Sequence, residues 1–249
     1  MGARDVFVGR SDELALAERA LACAWEGTGG LLLFTGEAGV GKTSLVERVA
    51  ERAEQRGARV AWGRCWEAGG APPYWPWLEI FRALDEEPPF EEERGGELHA
   101  RDLRFRQLDR AARKLEALAR ERPLALVLDD LHASDLPSLE LLHVLARRLR
   151  ALPVLVLVTY RDAEARLVPD VEQRLAKIGR EGTVHALGRL SREEVAAWVH
   201  AVSPTADAAA AARIFEASEG NALFVREVLR LGAERGAAHL PHGIRTVLD

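Results

Sequence analysis

The chain has 249 residues, enough for one large domain or for a core domain with a small partner. Apolar residues make up 48% and charged residues 29%, which excludes a disordered tail, and the net charge of −5 gives no support to a broadly basic nucleic-acid surface. No apolar run approaches the roughly 20 residues that span a bilayer, and the N-terminus lacks the apolar core of a signal peptide. With two cysteines in all, we expect a reducing, cytoplasmic location without membrane contact, and packed thiols at Cys23 and Cys65.

The first 188 residues alternate apolar segments with amphipathic ones. Ser11 can cap a first helix, and further helices are predicted over Lys42–Gln55, Leu98–Arg122 and Leu136–Leu149. Strands are predicted over Leu31–Thr35, Ala58–Trp62, Leu124–Asp129, Val154–Thr159 and, more weakly, Thr183–Leu187. Strands that are apolar throughout favour parallel pairing with crossover helices, so the pattern predicts a three-layer α/β domain.

Two segments between the second and third strands are predicted to lack regular structure. Ala71–Trp77 is rich in proline and aromatic residues, and Asp85–Gly96 is acidic and interpreted as a surface loop. The aromatic group of Tyr74, Trp75, Trp77 and Phe81 is interpreted as packing over a sheet edge, with a partner surface as the alternative.

The pattern changes after Gly188. Ser191 and Glu194 form a capping box, and further helices are predicted over Asp207–Glu219 and Ala222–Glu234. We therefore divide the chain into a core domain over 1–188, a small helical domain over 189–240, and the beginning of a further segment over 241–249.

Residues Gly36–Thr43 read GEAGVGKT and match the phosphate-loop pattern GxxxxGK[ST]. Glycines allow backbone N–H groups to converge on phosphate oxygens, and the N-terminus of the following helix adds its positive end. Lys42 is expected to reach the β- and γ-phosphates, and Thr43 to offer its hydroxyl to Mg²⁺. An ordinary glycine-rich turn is the alternative interpretation.

Acidic residues end the third predicted strand. Asp129 is the candidate ligand of Mg²⁺, and Asp130 is the candidate group that polarises the attacking water. Arg161 follows the next apolar strand, so it would face the γ-phosphate if that strand lay between the two motif strands. An exposed arginine at a strand end is the alternative.

Together with the phosphate loop, four more segments carry a family resemblance: FVGRSDEL at 7–14, LVLDDLHASD at 126–135, LVTYRD at 157–162 and GNALFVREVL at 220–229. In this order they resemble the STAND-class ATPases, and most of all the bacterial AAA-type ATPase module of large LuxR-family transcriptional regulators. The resemblance implies a P-loop NTPase sandwich with strand order 5-1-4-3-2, followed by a helical lid.

The same resemblance implies a site for ATP or ADP with Mg²⁺. Thr43 and Asp129 would hold the metal, and Arg161 would sense the γ-phosphate. The residues implied at the nucleotide are Phe7, Val8, Gly9 and Arg10 against the adenine, and Gly36, Glu37, Ala38, Gly39, Val40, Gly41, Lys42, Thr43 and Ser44 around the phosphates. The lid motif of the family is GNP-like, whereas this chain has Gly220-Asn221-Ala222.

The resemblance also implies that the protein is a switch controlled by the bound nucleotide. ADP would hold a resting form, and exchange for ATP would promote self-association and act on flanking effector and sensor domains. A P-loop phosphotransferase, a DNA-associated AAA+ ATPase and a protein that binds but does not hydrolyse ATP are the alternatives. The net charge leads us to expect no direct nucleic-acid binding by this segment.

Overall fold

The computed structural model describes residues 7–66, 70–90 and 97–235. The chain divides into two compact units. The larger unit comprises Asp12–Gly36 and Lys42–Ala186, and the smaller unit comprises Glu37–Gly41 with the described parts of Met1–Ser11 and Leu187–Asp249. The domain boundaries at residues 188 and 240 remain predictions, and the segments 91–96 and 241–249 lie outside the described residues.

Five strands and ten α-helices, with two short 3₁₀-helices at Leu131–Ala133 and Leu149–Ala151, follow one another in the described parts of the chain. Up to Ala186 these elements are α1 (Ser11–Trp25), β1 (Gly30–Thr35), α2 (Lys42–Gln55), β2 (Arg59–Arg64), α3 (Trp75–Ala83), α4 (Glu97–Glu121), β3 (Leu124–Asp129), α5 (Leu136–Ala146), β4 (Val154–Tyr160), α6 (Asp162–Arg166), α7 (Pro169–Gly179) and β5 (Thr183–Ala186). The remaining helices are α8 (Arg192–Val202), α9 (Ala208–Ser218) and α10 (Ala222–Arg235).

All five strands pair in parallel, in the order β2-β3-β4-β1-β5, which confirms the order expected from the sequence. The apolar runs of β1, β3 and β4 are buried along almost their whole length, as strands covered by helices on both faces must be. The last strand, β5, is mostly exposed and lies at one edge. Because β4 lies between β3 and β1, the carboxyl ends of the two motif strands flank the end of β4.

The aromatic segment differs from its prediction, because a helix begins at Trp75 where the sequence predicted irregular structure. Pro76 occupies the first turn, where its missing N–H costs nothing, and the side chains of Trp77 and Phe81 are fully buried. A Cβ at Gly63 of the edge strand β2 would lie 2.1 Å from the carbonyl oxygen of Pro76, so strand and helix are in close contact. The packing interpretation of the aromatic group therefore holds for these side chains.

The sequence analysis did not predict α6 and α7, and it misplaced one cysteine. Cys23 is exposed on α1, so the prediction of a packed thiol there is wrong, whereas Cys65 is partly buried. The alternation of apolar residues in α1 buries Ala17, Leu21 and Ala24 and leaves Cys23 on the opposite face. Among the described residues, no helix combines the length and the apolar character that a bilayer crossing requires.

The smaller unit has a core of its own. The capping box of Ser191 and Glu194 is present at the start of α8, and the Asp207 carboxylate accepts a hydrogen bond from the N–H of Ala210 at the start of α9. Apolar side chains of all three helices, including Val195, Ile214 and Val225, are buried together.

Candidate functional site

The phosphate loop connects β1 to α2. Gly41, which precedes α2, has a φ of +102°, in the left-handed region that residues with side chains rarely adopt. A Cβ at this position would meet only the Cβ of Ala222, at 3.8 Å, so the backbone conformation rather than crowding favours glycine here. This local geometry supports the interpretation of the segment as a phosphate loop.

Lys42 begins α2 and is buried, with its Nζ donating a hydrogen bond to the carbonyl oxygen of Gly36 at 2.9 Å. Loss of water lowers the pKa of Lys42, while the nearby Asp130 carboxylate opposes this shift and the Arg161 charge adds to it. A dehydrated ammonium group beside a second cation is an arrangement that an anionic ligand would stabilise.

A chain of hydroxyl and carboxylate groups joins the end of β3 to α2 and β4. Asp129 is 4% exposed, and its Oδ1 accepts hydrogen bonds from Thr43 Oγ1 at 3.1 Å and from Thr159 Oγ1 at 2.5 Å. Thr159 Oγ1 in turn accepts a hydrogen bond from the N–H of Asp130 at 2.9 Å. Thr159 is fully buried and fixes both acidic residues, a role that the sequence analysis did not assign.

Asp130 has an unusual backbone conformation, with φ of 56° and ψ of 45°. Aspartate tolerates this left-handed region better than most residues, but the conformation still stores strain. Its side chain is 31% exposed, and its Oδ1 lies 3.9 Å from Arg161 Nε and 3.9 Å from His132 Nδ1. The Asp130 carboxylate thus reaches solvent between basic groups, whereas that of Asp129 is buried.

Arg64 is a second residue that the sequence analysis missed. It ends β2 in register with Asp129 on β3, and its Nε lies 3.7 Å from Asp129 Oδ2. The backbone N–H of Arg64 donates a hydrogen bond to Glu79 Oε2 at 2.7 Å, and the side chain of Arg64 is 62% exposed. The strand extends two residues beyond its predicted end at Trp62, which is why the sequence did not indicate this contact.

The residues at these strand ends fit a divalent cation and a phosphate chain. Magnesium prefers hard oxygen ligands, and the hydroxyl of Thr43 and the carboxylate of Asp129 present such atoms 3.1 Å apart. Lys42 and Arg161 supply the cations that phosphate oxygens require. Of the residues predicted at the metal and the phosphates, Lys42, Thr43, Asp129 and Arg161 of the larger unit therefore lie together.

Phe7, Val8, Gly9 and Arg10 belong to the smaller unit, where Val8 packs against the helical core. Arg10 is buried, and its Nη2 donates hydrogen bonds to the carbonyl oxygens of Val40 at 2.9 Å and Gly188 at 2.6 Å. Ser44 is exposed on α2, and its place at a phosphate stays a prediction.

The middle of the phosphate loop, Glu37–Gly41, groups with the smaller unit. Arg189 forms a bidentate ion pair with Glu37, with Nε–Oε1 of 2.7 Å and Nη2–Oε2 of 3.0 Å. Asn221, in the Gly-Asn-Ala segment, also contacts this loop through its side-chain amide. The sequence indicated this segment only through the family resemblance and did not predict its contact with the loop.

Comparisons with known proteins agree with this fold. The family described as AAA ATPase domain matches residues 6–158, which is more than half of the chain. Among solved structures, the chain is similar to the ORC1 protein of Aeropyrum pernix in complex with DNA, with 19% identity, a TM-score of 0.66 and coverage of 98% of this chain and 66% of that one. Among curated proteins, no significant match was found.

Two further structures have the same fold. Cdc6p from Pyrobaculum aerophilum is 18% identical, with a TM-score of 0.59 and coverage of 92% of this chain and 63% of that one. A variant of RuvB from Thermotoga maritima is 14% identical, with a TM-score of 0.57 and coverage of 97% and 69%. The chain thus spans about two thirds of the length of these proteins. The strand order, the phosphate loop and these similarities establish a P-loop NTPase-like α/β fold, and the family match shows that the chain belongs to the AAA ATPase domain family.

Proposed function

We propose that the chain is an ATP-binding and slowly hydrolysing switch module of a larger signal-transduction or transcriptional regulator. Its resting form would hold ADP, and its active form would hold ATP and self-associate. The observation that carries the proposal is the connected group of Thr43, Asp129, Thr159 and Asp130 at the strand ends. The resemblance of five sequence motifs to STAND-class ATPases supports the regulatory part of the proposal.

Each polar residue has a distinct role in this proposal. Lys42 and Arg161 bind phosphate oxygens, and Phe7–Arg10 lie against the adenine. Thr43 and Asp129 hold Mg²⁺, which when bound neutralises phosphate charge. Asp130 accepts a hydrogen bond from the attacking water and orients it, because its carboxylate is accessible to solvent whereas that of Asp129 is buried.

The nucleotide content of the purified protein tests the proposal. The protein is denatured and the released nucleotide is identified by chromatography, with Lys42→Ala as the control that removes the main phosphate counter-charge. We expect near-equimolar ADP from the unchanged protein and none from Lys42→Ala. If no nucleotide is released and a titration with ATP detects no binding, the proposal is wrong.

A DNA-associated ATPase is the second candidate, because several structures with this fold are described as bound to DNA. Identities below 20% extend only the fold to this chain, and a net charge of −5 does not favour DNA. Titration with labelled duplex and single-stranded DNA at two salt concentrations distinguishes the candidates. Binding that weakens steeply with salt would support the DNA-associated function, and its absence would support the switch.

A further inference from the structure

The phosphate loop is held from its carbonyl side within the smaller unit. The carbonyl oxygen of Ala38 accepts a hydrogen bond from Asn221 Nδ2 at 3.0 Å, and that of Gly39 accepts one from the N–H of Leu223 at 2.9 Å. The carbonyl oxygen of Val40 accepts the bond from Arg10 at 2.9 Å. Three successive carbonyl groups of the loop therefore have defined partners.

Asn221 is buried in this arrangement, with 5% exposure, as is Arg10. Its Oδ1 accepts a hydrogen bond from the N–H of Leu223 at 3.1 Å, which caps the first turn of α10. This bond fixes the orientation of the amide, so that Nδ2 faces the loop and donates to Ala38 and, at 3.3 Å, to Glu37 Oε1.

The glycines around Asn221 permit this close approach. Gly39 has a φ of +76°, and a Cβ there would lie 2.7 Å from Asn221 Oδ1 and 2.9 Å from the Cβ of Leu223. Gly220 approaches the other side, where a Cβ would lie 2.2 Å from the carbonyl oxygen of Leu190. The Gly-Asn pair thus contacts the phosphate loop on one side and Leu190 on the other.

Holding the carbonyl groups of the loop also orients its N–H groups. A trans peptide unit is planar, with its C=O and N–H pointing in opposite directions, and the described part of the chain has no cis peptide bond. The units that follow Ala38 and Val40 are therefore fixed together with the N–H groups of Gly39 and Gly41 on their far side, while the N–H of Val40 donates to the carbonyl oxygen of Glu37 at 3.5 Å. Backbone N–H groups of such a loop are the donors for phosphate oxygens.

We infer that Asn221 is a positioning residue for nucleotide binding, which acts by holding the phosphate loop in its phosphate-binding conformation. The inference rests on the proposed nucleotide site and deepens it. Asn221 then contributes to nucleotide affinity through the phosphates, and its contribution is the same whichever base is bound. A contact with the base would instead make its effect depend on which base is bound.

The test replaces Asn221 by serine, which retains an oxygen that can cap α10 but lacks the amide donor. Asp207→Ala serves as the control, because it removes the cap of another helix of the same unit, away from the loop. Competition with a fluorescent ADP analogue gives the affinities for ADP and GDP. We expect Asn221→Ser to weaken both by the same factor, roughly tenfold, and Asp207→Ala to change neither. A loss confined to ADP, or no loss, would overturn the inference.

Hydrogen exchange of the nucleotide-free protein gives a second measurement that does not depend on the ligand. The amide of Val40, which donates to the carbonyl oxygen of Glu37, and that of Leu223, which donates to the carbonyl oxygen of Gly39, should exchange faster in Asn221→Ser than in the unchanged protein, and at the unchanged rate in Asp207→Ala. Equal exchange in all three proteins would contradict the inference. If the unchanged protein binds no nucleotide, the proposed function fails, while the exchange experiment still tests the hold on the loop.

Discussion

Two charged sites, one in each unit, are held in opposite ways. At the end of β3, the Asp129 carboxylate is buried and bound by the neutral hydroxyl groups of Thr43 and Thr159. In the smaller unit, the side chains of Glu37 and Arg189 are 41% and 43% exposed and meet as an ion pair. A buried carboxylate depends on its hydrogen bonds and is insensitive to salt, whereas an exposed ion pair is weak and screened. A change of salt concentration should therefore affect the Glu37–Arg189 pair and leave the bonds of Asp129 intact.

The thiol of Cys65, next to the buried Asp129, should be much less reactive than that of the exposed Cys23. The N–H of Cys65 donates a hydrogen bond to the carbonyl oxygen of Asp129, and burial raises the pKa of the Cys65 thiol to about 12, with a hydrogen bond from Ser134 opposing the shift. At pH 8 only about one thiol in ten thousand would be ionised. Iodoacetamide followed by mass spectrometry should therefore label the exposed Cys23 and leave Cys65 unmodified.

The raised pKa of Cys65 also has a consequence for stability. The folded protein keeps the proton to higher pH than the unfolded chain, whose thiol has the ordinary value of 9.0. The contribution of the protonated Cys65 thiol to the free energy of unfolding is therefore present below pH 9 and is lost as the pH rises towards 12. Rapid labelling of Cys65 at pH 8 in the folded protein would show that this region is open to water.

Removal of the Thr159 hydroxyl should have the next largest effect. Thr159→Val retains the shape but leaves the N–H of Asp130 without its acceptor and Asp129 with one hydroxyl partner fewer. We expect the free energy of unfolding, measured in urea, to fall by about 1–3 kcal/mol. Thr159→Ser, which keeps the hydroxyl, should lose much less. Equal stability of Thr159→Val and the unchanged protein would mean that these bonds do not fix the acidic pair.

Arg64 is an intermediate case, because an exposed cation faces the buried carboxylate of Asp129. Its charge competes with a divalent cation for that carboxylate. Arg64→Gln should therefore lower the Mg²⁺ concentration that half-saturates nucleotide binding, by about threefold. Arg113→Gln on α4 removes the same charge from an exposed pair and should leave that concentration unchanged. An increased Mg²⁺ requirement in Arg64→Gln would identify Arg64 as a phosphate ligand instead.

The exposed ion pair should give the smallest effect. Arg189→Gln removes the cation that pairs with Glu37, and we expect the affinity for ADP to fall by about twofold at low salt and not at all at about 1 M salt. Arg192→Gln, which breaks a longer exposed pair with Glu216, is the matched control. A loss in Arg189→Gln that persists at high salt would contradict the distinction between this exposed pair and the buried site at Asp129.

The fold and part of the site could be predicted from the sequence. Apolar runs that end in polar residues indicated β1, β3 and β4, and the carboxyl ends of parallel strands meet at one edge of a sheet, so Thr43, Asp129 and Arg161 could be expected near one another. The strand order itself came from the family resemblance. Periodicity does not give strand order, because each buried strand is apolar on both faces.

The sequence analysis missed the contacts of Thr159, Arg64 and Asn221, each for a different physical reason. Thr159 looked like the polar end of a strand, since its partners lie on another strand and nothing local indicates them. Arg64 lay beyond the predicted end of β2, where the apolar pattern gives no signal. Asn221 and Ala38 are 183 residues apart in the sequence, and a side-chain to backbone hydrogen bond over that distance leaves no pattern in either segment.

The assignment of Asp129 to the metal and Asp130 to the attacking water is the central claim of this account. Single-turnover hydrolysis of ATP by Asp130→Asn, with ATP affinity measured on the same protein, tests it most directly. We predict unchanged affinity and hydrolysis slower by about 10²–10⁴-fold, because the neutral amide of asparagine is a much weaker hydrogen-bond acceptor than a carboxylate and polarises the water less. Hydrolysis at the unmutated rate would contradict the assignment.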